Sequence, residues 1–227
     1  MMNYSPCSFK PITHLIYDLD GLLLGTETLY QKVNQIIAQR YGKTFELSVK
    51  AKMAGRRTQE SAQLFVELLD IPLTPEEYIK ERYALLYPLY ATVQPLPGAK
   101  ELTQHFAKQG IPQAIASSSI QYHFELKMSS YPSWVSCFDH FVFGDDPDLK
   151  HSKPAPDIFL LTAQRLKADP RACLVFEDSL AGMKAAIAAG MSTVVVPEKT
   201  SDCQLFDQAD QVLNSLEEFE PEKWCLP

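Results

Sequence analysis

Residues 13–27 read THLIYDLDGLLLGTE, and this stretch decides the fold. Within residues 12–18, ITHLIYD is a buried-strand pattern that stops at Asp18-Leu19-Asp20-Gly21. Asp18 and Asp20 are two residues apart, so in an extended chain both side chains project to one face. Gly21 then lets the backbone turn sharply. Ligand sites of open α/β sheets lie just beyond the carboxyl ends of strands. Two carboxylates placed there repel each other and call for a cation or a shared proton. An oxygen-seeking divalent ion such as Mg²⁺ would supply the cation. Taken alone, the same residues read equally well as a polar turn closed by Asx-type hydrogen bonds.

Outward from this stretch, short apolar runs alternate with helical patterns. Strands are expected at 113–116, 140–143, 173–176 and 193–196, and helices near 99–108, 119–128, 157–167 and 180–189. Short strands separated by helices predict an α/β fold, a Rossmann-like parallel sheet covered on both faces. Residues 27–94 break the rhythm. Leu29, Val33, Ile36 and Ile37 recur at helical spacing, as do Ala62, Phe65, Val66 and Leu69. Thr74-Pro75-Glu76-Glu77 opens a further helix with a capping box. The expected organisation is an α/β core domain of residues 1–26 plus 95–227, with an inserted all-helical cap domain of residues 27–94.

Three further segments carry polar residues at or after predicted strands. Ile115-Ala116 leads into Ser117-Ser118-Ser119, whose hydroxyls and amides suit phosphate oxygens where a helix begins. Lys153 lies in HSKPAPDIF, between a predicted strand and a helix, with Pro154 and Pro156 stiffening its approach. Val175-Phe176 leads into Glu177-Asp178-Ser179. Each alone reads as an ordinary cap or a solvated side chain. Together they place carboxylates, hydroxyls and an ammonium on one rim of the sheet, a donor set suited to phosphoryl transfer.

In this order and spacing, the segments DLDGLLLGTE, Ser117, KPAPD and FEDS with AGMKAAIAAG resemble the four motifs of the haloacid dehalogenase-like hydrolase superfamily. The helical insert resembles the cap of its first cap class. THLIYDLDGLLLGTETLY, GDDPDLKHSKPAPDIFL and VLNSLEEFEPE resemble the pseudouridine-5'-phosphatase-like group within it. The resemblance implies hydrolysis of a small phosphorylated metabolite through an aspartyl-phosphate. Asp18 would be the nucleophile and Asp20 the acid and base. Mg²⁺ would be held by Asp18, the main-chain oxygen of Asp20 and Asp178, with Glu177 an outer or water-mediated partner. Ser117, Ser118 and Lys153 would bind the phosphoryl group. Gly55 and Arg56 resemble the substrate loop of such caps. Where the superfamily usually carries an acid, this chain has Gly25, and weaker positioning of the cap is expected from it.

Composition sets the outer bounds. Hydrophobic residues are 46% and charged residues 22%, which fits a folded chain. The net charge of −7 and the lack of a basic run argue against nucleic acid. No apolar stretch is long enough to span a membrane. The five cysteines form no CxxC pair, so reduced thiols and a cytoplasmic setting are expected. The acidic balance and the lack of a long heptad run make a monomer the expectation. Alternative readings on the same fold are a sugar-phosphate phosphatase and a β-phosphoglucomutase-like mutase. The mutases carry histidine where this chain has Tyr30, which disfavours that chemistry. A 2-haloacid dehalogenase would need neither Asp20 nor the Glu177-Asp178 pair. A non-catalytic binding protein is favoured only by Gly25.

Overall fold

The computed structural model describes residues 8–53, 58–199 and 201–227. Its centre is a parallel sheet of six strands among the described residues, in the order β3-β2-β1-β4-β5-β6. The strands are β1 (His14–Tyr17), β2 (Gln113–Ala116), β3 (His140–Val142), β4 (Cys173–Glu177), β5 (Ser192–Val195) and β6 (Gln211–Val212). β2, β4 and β5 are buried along their whole length, as strands covered on both faces must be.

Side chains alternate between the two faces. Leu15, Tyr17, Leu174 and Phe176 join one apolar cluster with Phe106 of α5 (Ala99–Lys108) and Phe124 of α6 (Gln121–Met128). Ile16 and Val175 join the other, with Ile158 and Phe159 of α8 (Asp157–Leu166) and Ala185 of α9 (Leu180–Ala188). A short helix, α7 (Pro132–Val135), lies between α6 and β3.

β1 sits between β2 and β4, and chain order reverses there. This makes the ends of β1 and β4 the switch point of the sheet, the usual seat of a ligand crevice. Tyr17 pairs with Phe176, and the Asp18 amide donates to the Phe176 carbonyl at 3.0 Å. The next residues of the two strands, Asp18 and Glu177, therefore stand side by side.

Between β1 and α5 lie α1 (Thr26–Arg40), α2 (Leu47–Met53), α3 (Thr58–Leu69) and α4 (Pro75–Tyr90). They build their own apolar cluster, including Val33, Ile37, Phe65, Tyr78 and Tyr90. The Thr74–Glu77 capping box closes reciprocally, at 3.2 Å and 2.8 Å. The chain enters and leaves this layer at adjacent points. The Gly25 amide donates to Gln94 and the Leu96 amide to Leu23.

The sequence reading misses three elements. β6 is two residues long, α7 four, and α2 only seven, all too short to show a period. One expectation is corrected: Cys225 is disulfide-bonded, whereas Cys137, Cys173 and Cys203 are free thiols. The odd cysteine count never excluded a single pair. Among the described residues no helix is long and apolar enough to cross a membrane.

Candidate active site

The polar ends of β1, β2 and β4, with the loop before α8, converge on one spot. Asp18 is 6% exposed, and its Oδ1 accepts from Lys153 Nζ at 2.6 Å. Oδ2 accepts no hydrogen bond from the described residues, so one oxygen of the carboxylate remains open. Burial pushes the Asp18 pKa up first of all; Lys153 opposes this and Glu177 adds to it, leaving the pKa raised to about 7.

Lys153 also donates to Glu177 Oε1 at 2.5 Å and to the Ala116 carbonyl at the end of β2 at 3.1 Å. Burial works against its charge, but Asp18 and Glu177 outweigh burial and raise its pKa above the usual lysine value. The ammonium is thus fixed between two carboxylates and the strand end.

Glu177 is fully buried. Its Oε2 accepts from the Asp178 and Ser179 amides and the Ser179 hydroxyl, at 3.1, 3.1 and 2.9 Å. These bonds and Lys153 take up the carboxylate. The geometry makes Glu177 the holder of Lys153. Gly182 of α9 makes this possible, since a Cβ there would lie 1.8 Å from Oε1.

Three side chains hold Asp20 through four hydrogen bonds. Lys127 Nζ donates to its two oxygens at 2.6 and 2.7 Å, Ser119 Oγ to Oδ2 at 2.7 Å, and Tyr30 OH to Oδ1 at 3.0 Å. Lys127 has no solvent exposure and packs against the face of Tyr90. Burial alone would raise the Asp20 pKa; the charge and hydrogen bonds of Lys127, then Ser119, reverse this and hold it below the usual carboxylate range. The Thr26 hydroxyl lacks a partner in hydrogen-bond geometry yet lies close enough to favour the same ionised form.

None of Lys127, Ser119 and Tyr30 stands out as a partner of Asp20 in the sequence. Lys127 is a lone lysine in FELKMSS. Ser119 was within sight as the third residue of the serine run. Tyr30 is one apolar position of a helical stripe.

Ser117 is buried at the end of β2, where its Oγ accepts from the Ser119 amide at 3.1 Å. Ser118 is exposed in the loop that follows. Gly55 and Arg56 lie outside the described residues. Asp178 is half-buried beside Gly21. Gly21 has φ +88°, and a Cβ there would stand 2.2 Å from Asp178 Oδ2, so only glycine leaves room for the carboxylate. No hydrogen bond from the described residues reaches the Asp178 side chain. Burial, then Glu177 and Asp18, raise its pKa well above the ordinary value. It is an acid in need of a counter-charge.

Among the described residues no three acidic, histidine or cysteine side chains stand together as a metal-holding group. Lysines hold Glu177, Asp20 and one oxygen of Asp18. What remains is the open oxygen of Asp18, Asp178 and main-chain oxygen, a hard-oxygen set that suits Mg²⁺.

A cavity of about 670 Å³ opens above this rim. Pro154, Asp178 and Ser179 line it from the core, and Tyr30, Asn34 and Arg82 from the helical layer.

Comparison with known proteins agrees with this architecture. A family model described as haloacid dehalogenase-like hydrolase matches residues 12–190. The chain is 46% identical over 221 residues to (DL)-glycerol-3-phosphatase 1, mitochondrial, of Arabidopsis thaliana, covering 95% of this chain and 74% of that protein. It is 39% identical over 221 residues to a protein named probable pseudouridine-5'-phosphatase from Drosophila melanogaster, covering 96% of each. A crystal structure of a HAD hydrolase, family IA, variant 3, from Entamoeba histolytica superposes with a TM-score of 0.80 at 22% identity. That match covers 94% of this chain and 97% of the other, and it speaks for the fold. The chain belongs to the haloacid dehalogenase-like hydrolase family, on its phosphatase branch.

Proposed function

We propose that the chain hydrolyses the phosphomonoester of a small metabolite through an aspartyl-phosphate on Asp18. The observation that carries this reading is the asymmetry of the Asp18 carboxylate. Lys153 holds Oδ1, and Oδ2 is left open at the switch point of the sheet. An oriented carboxylate with one open oxygen is placed for in-line attack on phosphorus.

In this reading Lys153 and the Ser117 hydroxyl bind the phosphoryl oxygens and offset the charge they gain. Ser118 offers its amide at the same strand end. Asp20 is the acid and base: the proton it takes from the water attacking the aspartyl-phosphate is the one it gives to the leaving oxygen of the next ester. It is therefore protonated when the next ester binds, although Lys127 and Ser119 favour its ionised form before then. Asp18, the Asp20 main-chain oxygen and Asp178 would hold Mg²⁺. The ion would neutralise the crowded acids and polarise the phosphoryl group. Residues 27–94 act as the cap that excludes water, with Gly55 and Arg56 in its substrate loop. The cytoplasmic setting and monomeric state expected from the sequence belong to this reading too.

The substrate is a nucleotide-like or sugar-like monophosphate. The relatives named glycerol-3-phosphatase and pseudouridine-5'-phosphatase support compounds of this size. Phosphate release from glycerol 3-phosphate, pseudouridine 5'-phosphate and hexose phosphates tests the reading. One ester must be turned over with dependence on Asp18; release equal in Asp18→Asn would refute it.

A further inference from the structure

Among the described residues, the other arginines are paired. Arg40 holds Glu81, Arg165 holds Asp146, and Arg171 holds Asp169. Arg82 is different. It lines the cavity above the catalytic rim, and among the described residues it makes no ion pair. Among the described residues it makes one hydrogen bond, Nε to Asn34 Oδ1 at 3.3 Å, and lies over two ring faces. The guanidinium lies 4.9 Å from the Tyr30 centroid and 5.9 Å from that of Tyr83. A planar cation held against rings keeps its orientation, and four N–H groups of its fork stay unspent.

Asn34 extends the donor set. It is 5% exposed and also lines the cavity. Arg82 Nε can only donate, and Tyr78 OH points at the same oxygen at 2.8 Å, so Oδ1 is the atom facing both. That fixes the amide: Nδ2, with two N–H groups, takes the other side and meets no partner among the described residues. One wall of the cavity therefore presents a cation and a primary amide, both donors.

Tyr30 sets the reach of this wall. The ring that supports Arg82 on its face bonds Asp20 through its hydroxyl. A single tyrosine ring separates the donor wall from the carboxylate that serves the leaving oxygen.

We infer that Arg82 and Asn34 form a substrate-reading subsite. It binds acceptor oxygens, hydroxyl or carboxylate, carried on the alcohol portion a few bonds from the ester oxygen. The inference rests on the phosphatase reading above and names the substrate class for it. Esters of short polyols, hydroxy acids or a furanose place oxygens at that reach; plain alkyl esters do not. A site built from buried donors rejects an analogue without acceptors, because those donors are then desolvated and unpaired.

The test compares three-carbon esters: propyl phosphate, glycerol 3-phosphate and 3-phosphoglycerate. The unchanged chain should favour one or both oxygenated esters over propyl phosphate in kcat/KM by about 10- to 100-fold, the worth of hydrogen bonds to a charged donor. Preference for glycerol 3-phosphate would identify hydroxyls as the group read, and preference for 3-phosphoglycerate a carboxylate. In Arg82→Met the preference should collapse to about 3-fold or less, and Arg82→Lys should fall between, since it keeps charge but loses the fork. Thermal melting shows that each variant is folded. The same ratios are read as affinities by calorimetry on Asp18→Asn with Mg²⁺ present.

A ratio near one in the unchanged chain, or a high ratio retained in Arg82→Met, would overturn the inference and leave the phosphatase reading standing. No release from any ester would refute the phosphatase reading alone, and the affinity ratios would then decide the subsite by the same criteria.

Discussion

Asp20 shows how a single side chain is placed. Its carboxylate receives two bonds from one ammonium and two from hydroxyls. The ammonium of Lys127, with no exposure at all, has no other carboxylate in the described residues. Each charge is there because the other is. Lys127→Met should leave the Asp20 carboxylate, 17% exposed, without its counter-charge and cost about 3–5 kcal/mol in denaturant unfolding. Adding Asp20→Asn should restore most of that loss, because neither member then carries an unpaired charge. A single variant as stable as the unchanged chain would show that the pair is solvated and weak. Asp18 and Asp178 follow strand ends and Lys153 lies in the proline-flanked loop before α8, where residue type and position mark them in the sequence. Lys127 reaches its partner across 107 residues from the last turn of a helix, and no local pattern encodes that.

At the scale of the element, the sequence reading worked best where a period or a cap dictates the structure. β2 and α5 fall on their expected limits, and the Thr74 capping box is present atom for atom. It worked least where the element is short, as in β6 and α7. The start of α1 is a test case. Gly25 has φ −75° and caps α1 without a side chain, and a Cβ there would meet only ordinary contacts near 3.5 Å. Glycine is therefore not required at this position. Gly25→Asp should stabilise the chain by about 0.5–1 kcal/mol through N-capping and the helix dipole, read as a shift in the denaturation midpoint. No shift would place the start of α1 under tertiary control.

α6 carries a second test. His123 packs among Tyr83, Tyr87 and Tyr90 of α4, with Lys127, Asp20, Arg82 and Asp145 also acting on it. Burial, then Lys127, lowers its pKa from 6.5 to about 4. The unfolded chain therefore binds the proton first as pH falls. The contribution of neutral His123 is complete above pH 6.5 and is lost as pH drops toward 4. Unfolding midpoints at pH 7.5 and 5 should differ less in His123→Gln than in the unchanged chain. An equal difference in both would show that His123 does not titrate across that window.

For the whole molecule, two bodies of apolar packing meet over one polar rim. The sheet carries its clusters on both faces, and the four helices after β1 carry their own. The contacts between them are mixed: Leu29 of α1 packs on the sheet's cluster and Leu126 of α6 on the helical one, beside polar and aromatic contacts. Lys50 of α2 bonds Glu198 after β5 at 2.7 Å, Tyr30 reaches Asp20, and the tyrosines of α4 meet His123. In the sequence, the change to helical spacing after residue 27 and the return at Pro95 set the expected limits of the inserted layer. The cavity wall was not legible, because Asn34 and Arg82 are 48 residues apart and meet only once α1 packs on α4. The central claim is that chemistry starts at the open oxygen of Asp18. Its most direct test is phosphate release from a panel of monoesters by the unchanged chain and by Asp18→Asn, each with Mg²⁺ and with chelator. The account predicts release that needs the metal and falls by at least about 1,000-fold in Asp18→Asn; release undiminished in the folded Asp18→Asn chain would contradict it.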